Sequence, residues 1–104
     1  MIKNKLVRDK IPEIIEDEGY NVSYRVLKDD DEYLIAIGEK LREKVEELII
    51  TSSVENIADI NELIVAYGSL LGYTRYDLRE IAEKKNELKG MFKERIFLES
   101  FEKK

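Results

Sequence analysis

Only three residues, Thr51-Ser52-Ser53, separate two long stretches of helical periodicity. Two helices joined by so short a turn must run antiparallel and side by side. The first stretch, roughly 30–50, carries Leu34, Ile37, Leu41, Val45 and Leu48 at three- to four-residue spacing. The run Asp29-Asp30-Asp31 supplies N-caps and negative charge for its first turn. The second stretch, roughly 54–71, has Ser53 as its cap and Gly72 as its end. Both stretches are rich in carboxylates: Glu43, Glu46 and Glu47 on one, Glu55, Asp59 and Glu62 on the other. An antiparallel hairpin can bring such groups to one point, as a divalent cation on a helical bundle requires.

The flanking sequence supports a helical domain. Pro12, the only proline, fits the first turn of a short helix over roughly 12–18 that Gly19 ends. In Asn21–Leu27, Val22, Tyr24 and Val26 alternate with polar residues, which predicts a short half-exposed strand or extended segment. Thr74 and Asp77 resemble a capping box and open a helix over roughly 75–89, ended by Gly90. The tail KERIFLESF alternates at first and is expected to pair with 21–27. The expected architecture is all-α. It is one domain over 1–104, an antiparallel helical bundle with a short N-terminal helix and a small two-stranded β element. A helix apolar over half its circumference, as 54–71 is, predicts completion of the core by oligomerisation.

Composition removes several chemistries. The chain has no cysteine and no histidine, so thiolate nucleophiles, Cys-based zinc sites and imidazole bases are excluded. Acid–base work falls to Asp, Glu, Lys, Tyr or metal-bound water. A formal net charge of −5 disfavours general binding to duplex nucleic acid. No apolar run reaches the ~18 residues of a membrane span, and residues 1–20 lack a signal-peptide core. A cytoplasmic location without membrane attachment is therefore expected.

Helical geometry separates the carboxylates. With Leu41 at 0°, Glu43 and Glu47 fall at about 200° and 240°, nearly opposite the stripe, and taken alone look like a solvated face. On 54–71, with Ile57 at 0°, Asp59 lands at about 200°, inside the apolar arc, with Glu55 and Glu62 at its edge. A charge on an apolar face is expected to be paired or metal-bound. The two readings are a salt bridge, Lys44 being one candidate, and a metal site.

Four segments, in this order, resemble the all-α nucleoside triphosphate pyrophosphohydrolases of the MazG type, which include phosphoribosyl-ATP pyrophosphohydrolases. They are NKLVRDKIPEII at 4–15, KLREKVEEL, ENIADINEL, and KKNELKGMF followed by ERIFL over 84–98. The resemblance implies a Mg²⁺-dependent hydrolase, with Mn²⁺ as an alternative ion. It would split a nucleotide between its α and β phosphates to give a monophosphate and pyrophosphate. It also implies a homodimer or homotetramer of helical subunits. Mapped onto this chain, Glu43, Glu47 and Asp59 become the catalytic metal ligands, with Glu46, Glu55 and Glu62 as further acids of the site. Arg8, Lys10, Lys85, Asn86, Lys89 and Arg95 become substrate contacts. Each of these basic residues also fits ordinary surface charge, and Tyr67 and Phe92 fit core packing better than base stacking.

The chain departs from the pattern at two acids. Lys44 and Asn56 stand where the resemblance expects glutamates, and Met91 stands where it expects glycine. Asn56 can offer Mg²⁺ a carbonyl oxygen. Charged Lys44 has no lone pair and repels an ion. Three functions follow: an active pyrophosphohydrolase, a catalytically impaired relative that binds nucleotide or protein, or a purely structural helical module.

Overall fold

The computed structural model describes residues 4–104, and among them every regular element is a helix. α1 spans Ile11–Asp17, with Pro12 in its first turn, where a missing N–H is harmless. α2 spans Asp30–Thr51. The Asp29 carboxylate caps it by accepting from the Asp31 N–H at 3.0 Å, and Asp30, Asp31 and Glu32 fill its positive end. α3 spans Val54–Leu70, and α4 spans Arg75–Lys89.

The turn between α2 and α3 is two residues long. Ser52 stops α2 by turning left-handed, with φ at 53°, while its N–H closes on the Leu48 carbonyl at 2.8 Å. Ser53 takes the cap position of α3, but its hydroxyl makes no capping bond. Its backbone carbonyl accepts from the Asn56 N–H instead, at 3.2 Å. At α4 the capping box is complete. Thr74 Oγ1 accepts from the Asp77 N–H at 3.1 Å, and Asp77 Oδ2 accepts from the Thr74 N–H at 2.7 Å.

α2 packs on α3, and α3 packs on α4, with no further helix–helix packing among the described residues. Gly68 sets the second contact: a Cβ there would stand 2.9 Å from Leu78 Cδ1. Among the described residues Ile37 alone is a fully buried apolar side chain. The single chain is correspondingly open, with extents of 66 × 32 × 21 Å and a radius of gyration of 18.3 Å. A compact domain of this length has about 13 Å.

The expected two-stranded element is absent among the described residues. Residues 21–27 and 96–101 form no regular element and share no backbone hydrogen bond. A lone two-stranded ribbon is marginal in water, and nothing in the single chain covers its apolar side. No helix of the described residues is long and apolar enough to cross a membrane.

Candidate functional site: a charge-compensated acid cluster

The site lies along the seam between α2 and α3. α2 presents to α3 a face rotated from its apolar stripe. Lys44, at about 300° on the wheel that places Leu41 at 0°, reaches Asp59 of α3. Leu41 and Val45 line an open groove with Gly38, Arg42 and Glu46. The rotation brings Glu43 and Glu47 from a solvated back face to the edge of the seam, where both are half-buried.

Asp59 is the centre of the cluster. Its Oδ1 accepts from Arg8 Nη2 at 2.5 Å and Nε at 3.1 Å, a two-pronged contact from the segment preceding α1. Its Oδ2 lies 3.4 Å from Lys44 Nζ. The same ammonium lies 3.5 Å from Glu47 Oε2. One cation thus bridges carboxylates from two helices. Glu43 forms the adjoining pair, its Oε1 lying 3.4 Å from Lys40 Nζ and 3.5 Å from Lys5 Nζ. Three carboxylates therefore meet four cations: Lys5, Arg8, Lys40 and Lys44.

The protonation equilibria follow from these contacts. The Arg8 hydrogen bond, with help from Lys44, outweighs partial burial and holds the Asp59 carboxyl below the usual aspartate range. For Glu43, partial burial opposes ionisation, yet Lys40 and Lys5 together outweigh it and lower its pKa. Lys44 loses hydration in the seam, but Asp59 and Glu47 more than restore its charge and raise its pKa. Lys40 goes the other way: lost hydration, with Lys5 and Lys44 nearby, outweighs Glu43 and lowers it. The Lys40 side chain retains only 13% of its exposure.

The other predicted residues lie apart from this cluster. Glu46 faces the open groove on the opposite side of α2. Glu62 lies 3.4 Å from Arg75 Nη2. Glu55 is exposed and has no ion pair among the described residues, and Lys10 is exposed at the start of α1. Lys85, Asn86, Lys89 and Arg95 are exposed on the far part of α4 and beyond it, with no side-chain bond to the cluster. Asn56 is the one buried polar residue among the described residues. Its Nδ2 donates to Thr51 Oγ1 at 3.4 Å, and that hydroxyl donates to the Glu47 carbonyl at 2.8 Å. Asn56 therefore ties the start of α3 to the end of α2.

This arrangement does not fit a Mg²⁺ ion. Hard carboxylate oxygens suit the ion, but Lys44 stands between the two that converge, and Arg8 holds the remaining oxygen of Asp59. Among the described residues no three Asp or Glu side chains gather closely enough to share a metal ion. Two cations escaped the sequence reading, Lys5 and Lys40. Lys40 was legible, since it precedes Glu43 by three residues on one helix face. Lys5 carried no local signal. Neither the family models, the curated proteins nor the solved structures compared with the chain gave a match.

Proposed function

We propose that this chain is a nucleotide-binding helical module on the MazG-like plan, in which an ammonium takes the place of the divalent ion. The observation behind this reading is the position of Lys44 Nζ, within 3.5 Å of both Glu47 and Asp59. A lysine so placed neutralises the acids but supplies no Lewis acid and activates no water. Catalysis is thereby silenced, and in this reading phosphate oxygens draw Arg8 away from Asp59. Arg8 of the cluster, together with the exposed Lys10, Lys85, Lys89 and Arg95, makes the phosphate contacts of this reading, and Asn86 the base or sugar contact. Its setting is a cytoplasmic homo-oligomer whose helices complete a bundle across copies. The chain exposes 10,077 Å². A folded monomer of 12.2 kDa exposes about 6,000 Å². The excess is of the order of an obligate interface.

A second reading, an active Mg²⁺-dependent pyrophosphohydrolase, is favoured by the convergence of Glu47 and Asp59 from different helices. In that reading nucleotide and metal displace Lys44 together. Binding separates the two. A nucleoside triphosphate in the presence of a chelator is expected to raise the melting temperature, because a ligand of the folded state stabilises it. The shift should persist when Mg²⁺ is added and should not need it. A shift seen only with Mg²⁺ or Mn²⁺ present contradicts the metal-independent module, and no shift under either condition removes nucleotide binding altogether.

A further inference from the structure

Two segments of equal length have no regular structure, are largely exposed and belong to no strand ladder. One is 21–27, Asn-Val-Ser-Tyr-Arg-Val-Leu, between α1 and α2. The other is 95–101, Arg-Ile-Phe-Leu-Glu-Ser-Phe, beyond α4. No N–H or C=O of 21–27 or of 96–101 takes part in a backbone–backbone hydrogen bond. The first sequence alternates and the second opens on the apolar run Ile96-Phe97-Leu98, so a strand conformation puts Val22, Tyr24 and Val26 on one side of the first and Ile96 and Leu98 on one side of the second. All but Val22 are two-thirds exposed or more. Exposed, unpaired segments rich in β-branched and aromatic residues can pair by strand addition.

We propose that these segments pair between two copies of the chain: 95–101 of each copy adds antiparallel to 21–27 of the other. The in-register antiparallel arrangement sets Ile96 opposite Val26, Leu98 opposite Tyr24 and Ser100 opposite Val22. That puts Val22, Tyr24, Val26, Ile96 and Leu98 on one face, while the other carries Phe97 opposite Arg25, Glu99 opposite Ser23, Phe101 opposite Asn21 and Arg95 opposite Leu27. Both halves of the pair come from one sequence, so the exchange is reciprocal and closes as a two-fold dimer. The occupant is a second copy because the lone chain leaves both ribbons unpaired. It also exposes thousands of square ångströms more than a folded monomer of its mass. The proposal does not depend on what the acid cluster binds.

The chain has no cysteine, which makes cross-linking clean. Full-length Tyr24→Cys carrying one tag is mixed with full-length Leu98→Cys carrying another, then oxidised. A disulfide joining the two tags is expected. Tyr24→Cys with Phe97→Cys, whose side chain falls on the other face, is expected to give several-fold less. A chain carrying both cysteines that closes on itself, with a yield unchanged by dilution, would show an internal ribbon and overturn the proposal. Absence of any disulfide would do the same. Light scattering supplies an independent readout. The mass is expected at about twice 12.2 kDa. Among single prolines placed at 96, 97, 98 and 99, alternate positions should lower it, since only alternate N–H groups enter an edge ladder. Helical circular dichroism should be unchanged in all four. A mass of 12.2 kDa for the unsubstituted chain, or equal tolerance of all four prolines, contradicts the exchange.

Discussion

At the scale of single residues the account rests on Asp59. Its position in the apolar arc of α3 marked it as a charge in need of a partner, and the wheel named Lys44 as a candidate. Both features were legible because they depend only on helical geometry. Arg8 was legible as a basic residue but not as the partner of Asp59. Fifty-one residues separate the two, and no periodicity links a loop to a helix at that distance. The pairing makes a pH prediction. The folded-state pKa of Asp59 lies below its ordinary 3.8, so the unfolded chain binds more protons than the folded one as pH falls through that region. Stability is therefore present above the ordinary value and is lost as pH drops through the depressed one. Acid unfolding of Asp59→Asn, followed by circular dichroism, is expected to show a weaker pH dependence between about pH 5 and pH 2 than the parent. An unchanged slope would mean that Asp59 is not held by Arg8 and Lys44 in solution.

At the scale of elements, helix ends were the most legible features. They are written in local chemistry: Pro12, Asp29, Thr74 with Asp77, Gly72 and Gly90. Removing one of them has a local consequence. Thr74→Ala deletes the acceptor for the Asp77 N–H, and is expected to cost about 1 kcal/mol in urea unfolding. Faster amide exchange should be confined to the first turn of α4. Loss of structure across α2 and α3 would instead mean that the cap supports the whole fold. The face α2 turns to α3 was less legible. Its apolar stripe pointed to Leu41 and Val45, yet those two line an open groove while Lys44, to one side of the stripe, reaches Asp59. The seam consequently holds half-buried lysines where the pattern predicted leucines. The strand pairing of 21–27 with the tail failed within one chain for a related reason. Alternation specifies a face but not what covers it.

At the scale of the whole molecule, the sequence announced an unmet surface, since 54–71 is apolar around half its circumference. The single chain is open and 66 Å long. If assembly completes the core, folding and association are one equilibrium, and melting temperature depends on protein concentration. A hundredfold dilution is expected to lower the melting temperature by several degrees, and to lower the fraction of helix at 25 °C when the dissociation constant is crossed. A melting temperature independent of concentration would mean that the open monomer is stable by itself.

In the proposed function Lys44 takes the place of a divalent cation and so silences hydrolysis. Pyrophosphate release from a panel of nucleoside triphosphates with Mg²⁺ tests this most directly, comparing the parent chain with the double variant Lys44→Glu plus Asn56→Glu. The parent is expected to release no more than the buffer blank. The double variant is expected to gain Mg²⁺-dependent release, because it restores two carboxylates beside Glu47 and Asp59 and removes the repelling charge. Release by the parent, abolished in the double variant, would contradict the claim and show that the lysine belongs to a working site.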